Sequence, residues 1–130
     1  MSLTYVFTKA VNDGTSTISK SETLTGTGDV RVDEAVTGAT TSYFMSCSAN
    51  TAQISGLYIT CDQAATLKTN TAAGTDSFAL QANEPLVWTN NDPAVLISDI
   101  LSANITGLYL TVPTAVTAAF KARFIIDASV

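Results

Sequence analysis

Apolar and polar residues alternate with a period of two along most of this chain, the spacing that sends successive side chains to opposite faces of a β-strand. The first run predicts a strand over Leu3 to Ala10, with Leu3, Tyr5 and Phe7 on one face. Asn12-Asp13-Gly14 then predicts a turn, because Asn and Asp bond their own backbone and Gly accepts positive φ. A weaker strand follows over Ser16 to Leu24, and Gly26-Thr27-Gly28-Asp29 breaks it before the clean alternation of Val30 to Asp33. Thr37-Gly38-Ala39 reads as the next turn. Ser42 to Ser48 reads as a strand buried on much of both faces, and Ile54 to Cys61 as its return.

Short strands are predicted over Ala65 to Thr69, Ser77 to Leu80 and Pro85 to Thr89, where Pro85 marks a strand start or an edge because it has no N–H to donate. Residues 94–101 place Val95, Leu96, Ile97, Ile100 and Leu101 for one or two helical turns, the single helix candidate. Ile105 to Val112 and Ala118 to Ile126 close the series. Ten short strands at such intervals predict an all-β, two-sheet antiparallel sandwich of Greek-key or jelly-roll type. At 130 residues the chain predicts one domain over 1–130 with one core.

An internal echo sharpens that expectation. Ala52-Gln53-Ile54-Ser55-Gly56-Leu57-Tyr58-Ile59-Thr60 returns 51 residues later as Ala103-Asn104-Ile105-Thr106-Gly107-Leu108-Tyr109-Leu110-Thr111. It extends, past a two-residue insertion, to Leu67-Lys68 against Phe120-Lys121, so a hairpin-sized unit recurs over 52–69 and 103–122. Parity puts Tyr58 and Thr60 on one face and Leu57 and Ile59 on the other. Gly56 and Gly107, inside strands, predict bulges or the close approach of another backbone.

Composition changes the picture in three ways. Only 13% of residues are charged, and 21 Thr and 12 Ser supply the missing polarity, which favours pleated sheet over helix. Eleven acidic against six basic residues give a net charge of −5, with the cations scattered singly, which opposes binding to nucleic acid. No histidine is present, so Ser–His–Asp and Cys–His catalysis are closed to this chain. Neither a P-loop nor a dinucleotide fingerprint occurs.

Asp29, Asp33 and Glu34, or Asp92 with Asp99, fit no calcium-loop spacing and read as solvated turn carboxylates. The expectation is therefore a non-enzyme with no catalytic, cofactor or metal residues. A hydrolase built on two carboxylates is the remaining catalytic alternative. Cys47 and Cys61 follow no secretion signal and are expected as buried free thiols. The Met1 to Lys9 segment has no basic leader, and no run of apolar residues is long enough to cross a membrane, so synthesis in a cytoplasm is expected.

The segment Ser77-Phe78-Ala79-Leu80-Gln81-Ala82-Asn83-Glu84-Pro85-Leu86-Val87-Trp88, with Ile105 to Thr111 and the closing Phe124-Ile125-Ile126-Asp127, resembles small virion proteins of tailed bacteriophages. That resemblance implies a capsid decoration or cement protein in the virion, bound as a trimer or dimer to the major capsid protein or other virion proteins. The alternative is a phage tail, fibre or carbohydrate-binding module. Residues expected at an interface are Leu3, Tyr5, Phe7, Trp88, Phe124 and Ile126. The strands Leu3 to Phe7 and Phe124 to Ile126 are expected either to pair with a neighbouring chain or to join the domain's own sheets, and Trp88 either to anchor an interface or to fill the core.

Overall fold

The computed structural model describes residues 3–129; Met1, Ser2 and Val130, which bound the expected domain, lie outside the described residues. A hairpin opens the chain, β1 (Leu3–Asn12) and β2 (Thr17–Gly26). Eight further strands follow: β3 (Gly28–Val36), β4 (Thr40–Met45), β5 (Ile54–Cys61), β6 (Ala65–Thr69), β7 (Ser77–Leu80), β8 (Leu86–Thr89), β9 (Leu108–Val112) and β10 (Ala118–Ile126). These eight form two four-stranded antiparallel sheets, a front sheet in the order β3-β10-β5-β8 and a back sheet in the order β4-β9-β6-β7. Successive strands alternate between the sheets except at β6 to β7, which is the order of a jelly roll.

The expected all-β sandwich is thus present, and the hairpin adds a layer outside it. Exchanging the two sheets maps β3, β10, β5 and β8 onto β7, β6, β9 and β4. The recurring sequence unit falls on β5–β6 and on β9–β10, which are equivalent under that exchange.

Period-two patterning makes the core. Leu57, Ile59 and Cys61 of β5, Leu67 of β6, Leu108, Leu110 and Val112 of β9 and Phe120, Ala122 and Phe124 of β10 all face the space between the sheets. Burying each large aliphatic or aromatic side chain there contributes ~1.5–3 kcal/mol. Trp88 on β8 joins them at 5% exposure, its indole N–H donating to the Val95 carbonyl at 2.9 Å and fixing the loop that follows.

Three elements differ from expectation. The strand expected over Ser42 to Ser48 runs instead over Thr40–Met45 at the edge of the back sheet, and it is not buried on both faces: Phe44 is 54% exposed. An irregularity between Thr40 and Tyr43, with Ser42 at φ 51°, breaks its single ladder with β9. The strand expected from Ile105 starts only at Leu108, because Asn70 takes the backbone of residues 106–107. Its Oδ1 accepts the Thr106 amide at 2.8 Å and its own amide donates to the Gly107 carbonyl at 2.9 Å. The helix expected over 94–101 is one turn, Ile97–Ile100, and Leu101 after it is already extended at φ −120°. Among the described residues no helix is long and apolar enough to cross a membrane.

Candidate interaction surface

The hairpin is built to leave the sandwich. Among the described residues its ten-residue strands pair only with each other, Leu3 opposite Gly26 through Asn12 opposite Thr17. Its tip is a self-capped turn. Gly14 adopts φ 93°, and the Asp13 carboxylate accepts the amides of Thr15 and Ser16 at 2.9 and 2.8 Å. Those amides, that of Ser16 foremost, hold the Asp13 carboxyl down at about 2.

The base of the hairpin crosses the outer face of the front sheet from one edge to the other. At the β3 edge the Tyr5 hydroxyl donates to Asp29, which also receives Arg31; the Tyr5 bond, then the Arg31 bond, hold the Asp29 carboxyl below its ordinary value. Over β5, Leu24 lies on Gly56, where a Cβ would stand 2.6 Å from its Cδ1. At the β8 edge, the Thr89 hydroxyl donates to Glu22 at 2.7 Å. Beyond that point every residue from Thr8 to Ser21 is exposed. The five β1 residues from Thr8 to Asn12 therefore carry the arm about 17 Å past its last anchor, at ~3.4 Å per residue.

Parity makes the two faces of the arm unlike. The outward face is mostly Thr and Ser, including Thr8 opposite Ser21 and Asn12 opposite Thr17. The face that carries Tyr5, Phe7 and Leu24 toward the sandwich continues past its edge as Lys9 opposite Lys20 and Val11 opposite Ile18. These four residues, with Ala10 and Ser19, border a shallow concavity of about 280 Å³. Val11 and Ile18 are 68% and 77% exposed. The two lysines meet as directly opposed like charges, an arrangement that weakens a ladder unless an anion joins them.

Compared with known families, curated proteins and solved structures, the chain matches none.

The residues expected at an interface fall into two groups. Leu3, Tyr5 and Phe7 are half-buried on the sandwich-facing side of β1. Tyr5 and Phe7 line a cleft of about 370 Å³ with Tyr58, Val87, Arg123 and Ile125. Arg123 is held there by Asp33, whose two carboxylate oxygens lie 3.0 and 3.1 Å from its Nη2. Trp88 and Phe124, by contrast, lie in the core at 5% and 0% exposure, and Ile126 is packed against it. Of the two outcomes foreseen for Phe124 to Ile126, the structure takes inclusion: β10 is an inner strand with β3 on one side and β5 on the other, so it has no edge to offer.

Sequence reasoning did not single out Lys9, Val11, Ile18 and Lys20. Their signal was present as an alternation that keeps its apolar parity through strands longer than the sandwich strands, which have four to nine residues. Asp29 and Asp33, expected as solvated turn carboxylates, instead lie on β3 and are engaged by Arg31 and Arg123. Cys47 and Cys61 are free thiols inside the core, and desolvation pushes the Cys47 thiol up to about 11.

Proposed function

We propose that this chain is a structural virion protein, a capsid decoration or cement protein that binds the exterior of the major capsid lattice and stabilises it. The observation that carries this reading is the arm: an exposed strand pair whose sandwich-facing parity stays apolar and basic where no sandwich lies beneath it. Such a projection suits a clamp between lattice subunits, which needs no reactive group. The jelly-roll strand order, frequent in capsid-forming and lectin domains, agrees with it as an analogy of fold. The net charge of −5 suits an outer surface turned away from packaged DNA. On this reading the protein is made in the host cytoplasm, ends in the virion, and has virion proteins rather than nucleic acid or membrane as partners.

Mass spectrometry and electron microscopy of purified particles of the encoding phage test it. The expected result is many copies per particle with density on the capsid exterior. Particles without the protein overturn the reading.

A tail, fibre or carbohydrate-binding role is the second reading, and the observation that favours it is the cleft where Tyr5, Phe7 and Tyr58 meet beside Arg123. Aromatic faces gathered with a hydrogen-bonding cation suit a sugar ring. That role predicts glycan binding that Tyr58→Ala abolishes, and density at the tail rather than on the lattice.

A further inference from the structure

The arm carries two of the six cations of the chain, Lys9 and Lys20, on the same face as Val11 and Ile18. Among the described residues neither lysine is ion-paired, Asp13 accepting the turn amides and Glu22 the Thr89 hydroxyl at the base. Residues 27–130 hold nine of the eleven carboxylates but only four cations. The missing anion is therefore abundant on the rest of this same chain.

One place there has the matching shape. In the loop after β8, Leu96 projects at 67% exposure. In sequence it lies between two carboxylates that the loop itself positions, Asp92 accepting the amides of Ala94 and Val95 at 2.9 and 3.2 Å and Asp99 accepting that of Leu96 at 2.9 Å. The Trp88 indole holds the Val95 carbonyl and so fixes the loop to the core. An apolar knob flanked by acids thus exists in the same molecule as an apolar hollow flanked by lysines. Both are exposed in the single chain, so they do not cover each other there.

We propose that the overhanging arm docks on a second copy of this chain, with Val11 and Ile18 covering the neighbour's Leu96 and with Lys9 and Lys20 meeting its Asp92 and Asp99. The contact joins two different patches. It therefore forms twice across a two-fold axis, or once per neighbour in a closed ring or an open filament. Arms facing arms would gather four lysines and are disfavoured. The docking stands whether or not the protein sits on a capsid.

Sedimentation and light scattering of the pure, full-length protein over a concentration series test the proposal without any particle present. The wild type is expected to self-associate. Ile18→Asp and Leu96→Glu, both at exposed positions, are each expected to raise the dissociation constant about tenfold or more while the circular-dichroism spectrum stays unchanged. Mixing the two variants is the decisive step, because the mixture pairs the intact arm of one with the intact loop of the other. Association is expected to return in the mixture to a level neither variant reaches alone.

A wild type that stays monomeric, an assembly indifferent to either substitution, or a mixture no better than its components overturns the proposal. Such a failure leaves the capsid reading standing, and absence from particles leaves this contact standing.

Discussion

Gly38 sits where β3 turns toward β4, and a Cβ there would stand 2.3 Å from the Ala115 carbonyl carbon and 2.6 Å from the Val116 nitrogen. Both obstacles are backbone, which has no rotamer to yield. Gly38→Ala is expected to destabilise the fold by about 1–3 kcal/mol, seen as a lower urea midpoint at unchanged slope. At Gly56 the obstacles are the side-chain ends of Leu24 and Ile125, at 2.6 and 3.3 Å. Gly56→Ala is therefore expected to lift the arm from the sheet more than it weakens the sandwich. Cys47 behaves as its burial dictates: a thiol raised to about 11 is expected to resist alkylation at neutral pH until denaturant opens the core. At this scale the sequence was informative where parity decides, as at Leu57 and Tyr58, and silent where two distant segments touch. Nothing near Gly38 in the chain announces Ala115.

The arm is the element on which the functional argument turns, and its base is a titratable latch. Asp29 lies below its ordinary value because Tyr5, then Arg31, bond its charged form. A carboxyl lowered by folding stabilises the docked base fully above the ordinary value of 3.8, and that stabilisation is lost as pH falls through the lower folded value. Amide exchange in Leu3 to Phe7 and Thr23 to Thr25 is accordingly expected to quicken in acid before exchange in β5 or β10 does. Tyr5→Phe is expected to move that onset to higher pH. Both strands of the arm were legible as alternation closed by Asn12-Asp13-Gly14. Their departure from the sandwich was not, because a strand has the same period whether a sheet lies beneath it or not. Only the combination of strand length and persistent apolar parity at Val11 and Ile18 distinguishes an overhang, and it takes the fold to see where the support ends.

Across the whole molecule, strand pairing joins residues far apart in sequence, with β10 bridging β3 and β5. Closing such loops before their contacts form is slow, so refolding is expected on the ms-to-s scale of sandwich proteins. Trp88 is the chain's single tryptophan and is buried, so its fluorescence in stopped-flow refolding reports that rate directly. The all-β class was legible from period and composition. The strand order was not, except through the recurring unit at Gly56 and Gly107, whose two copies lie in opposite sheets. Local pattern specifies faces; partners are chosen by three-dimensional packing of the core.

The interior position of β10 also bears on how the protein is made. Until residue 126 has left the ribosome, β3 and β5 lack the strand that both of them flank, and the front half of the molecule stays open with two raw ladders. The opening hairpin is closed by its own local turn and the back sheet has its four strands once Val112 is out, whereas the front sheet waits for β10. Nascent chains stalled before Ala118 are therefore expected to be protease-sensitive throughout the sandwich, and compaction is expected to arrive late and at once rather than strand by strand.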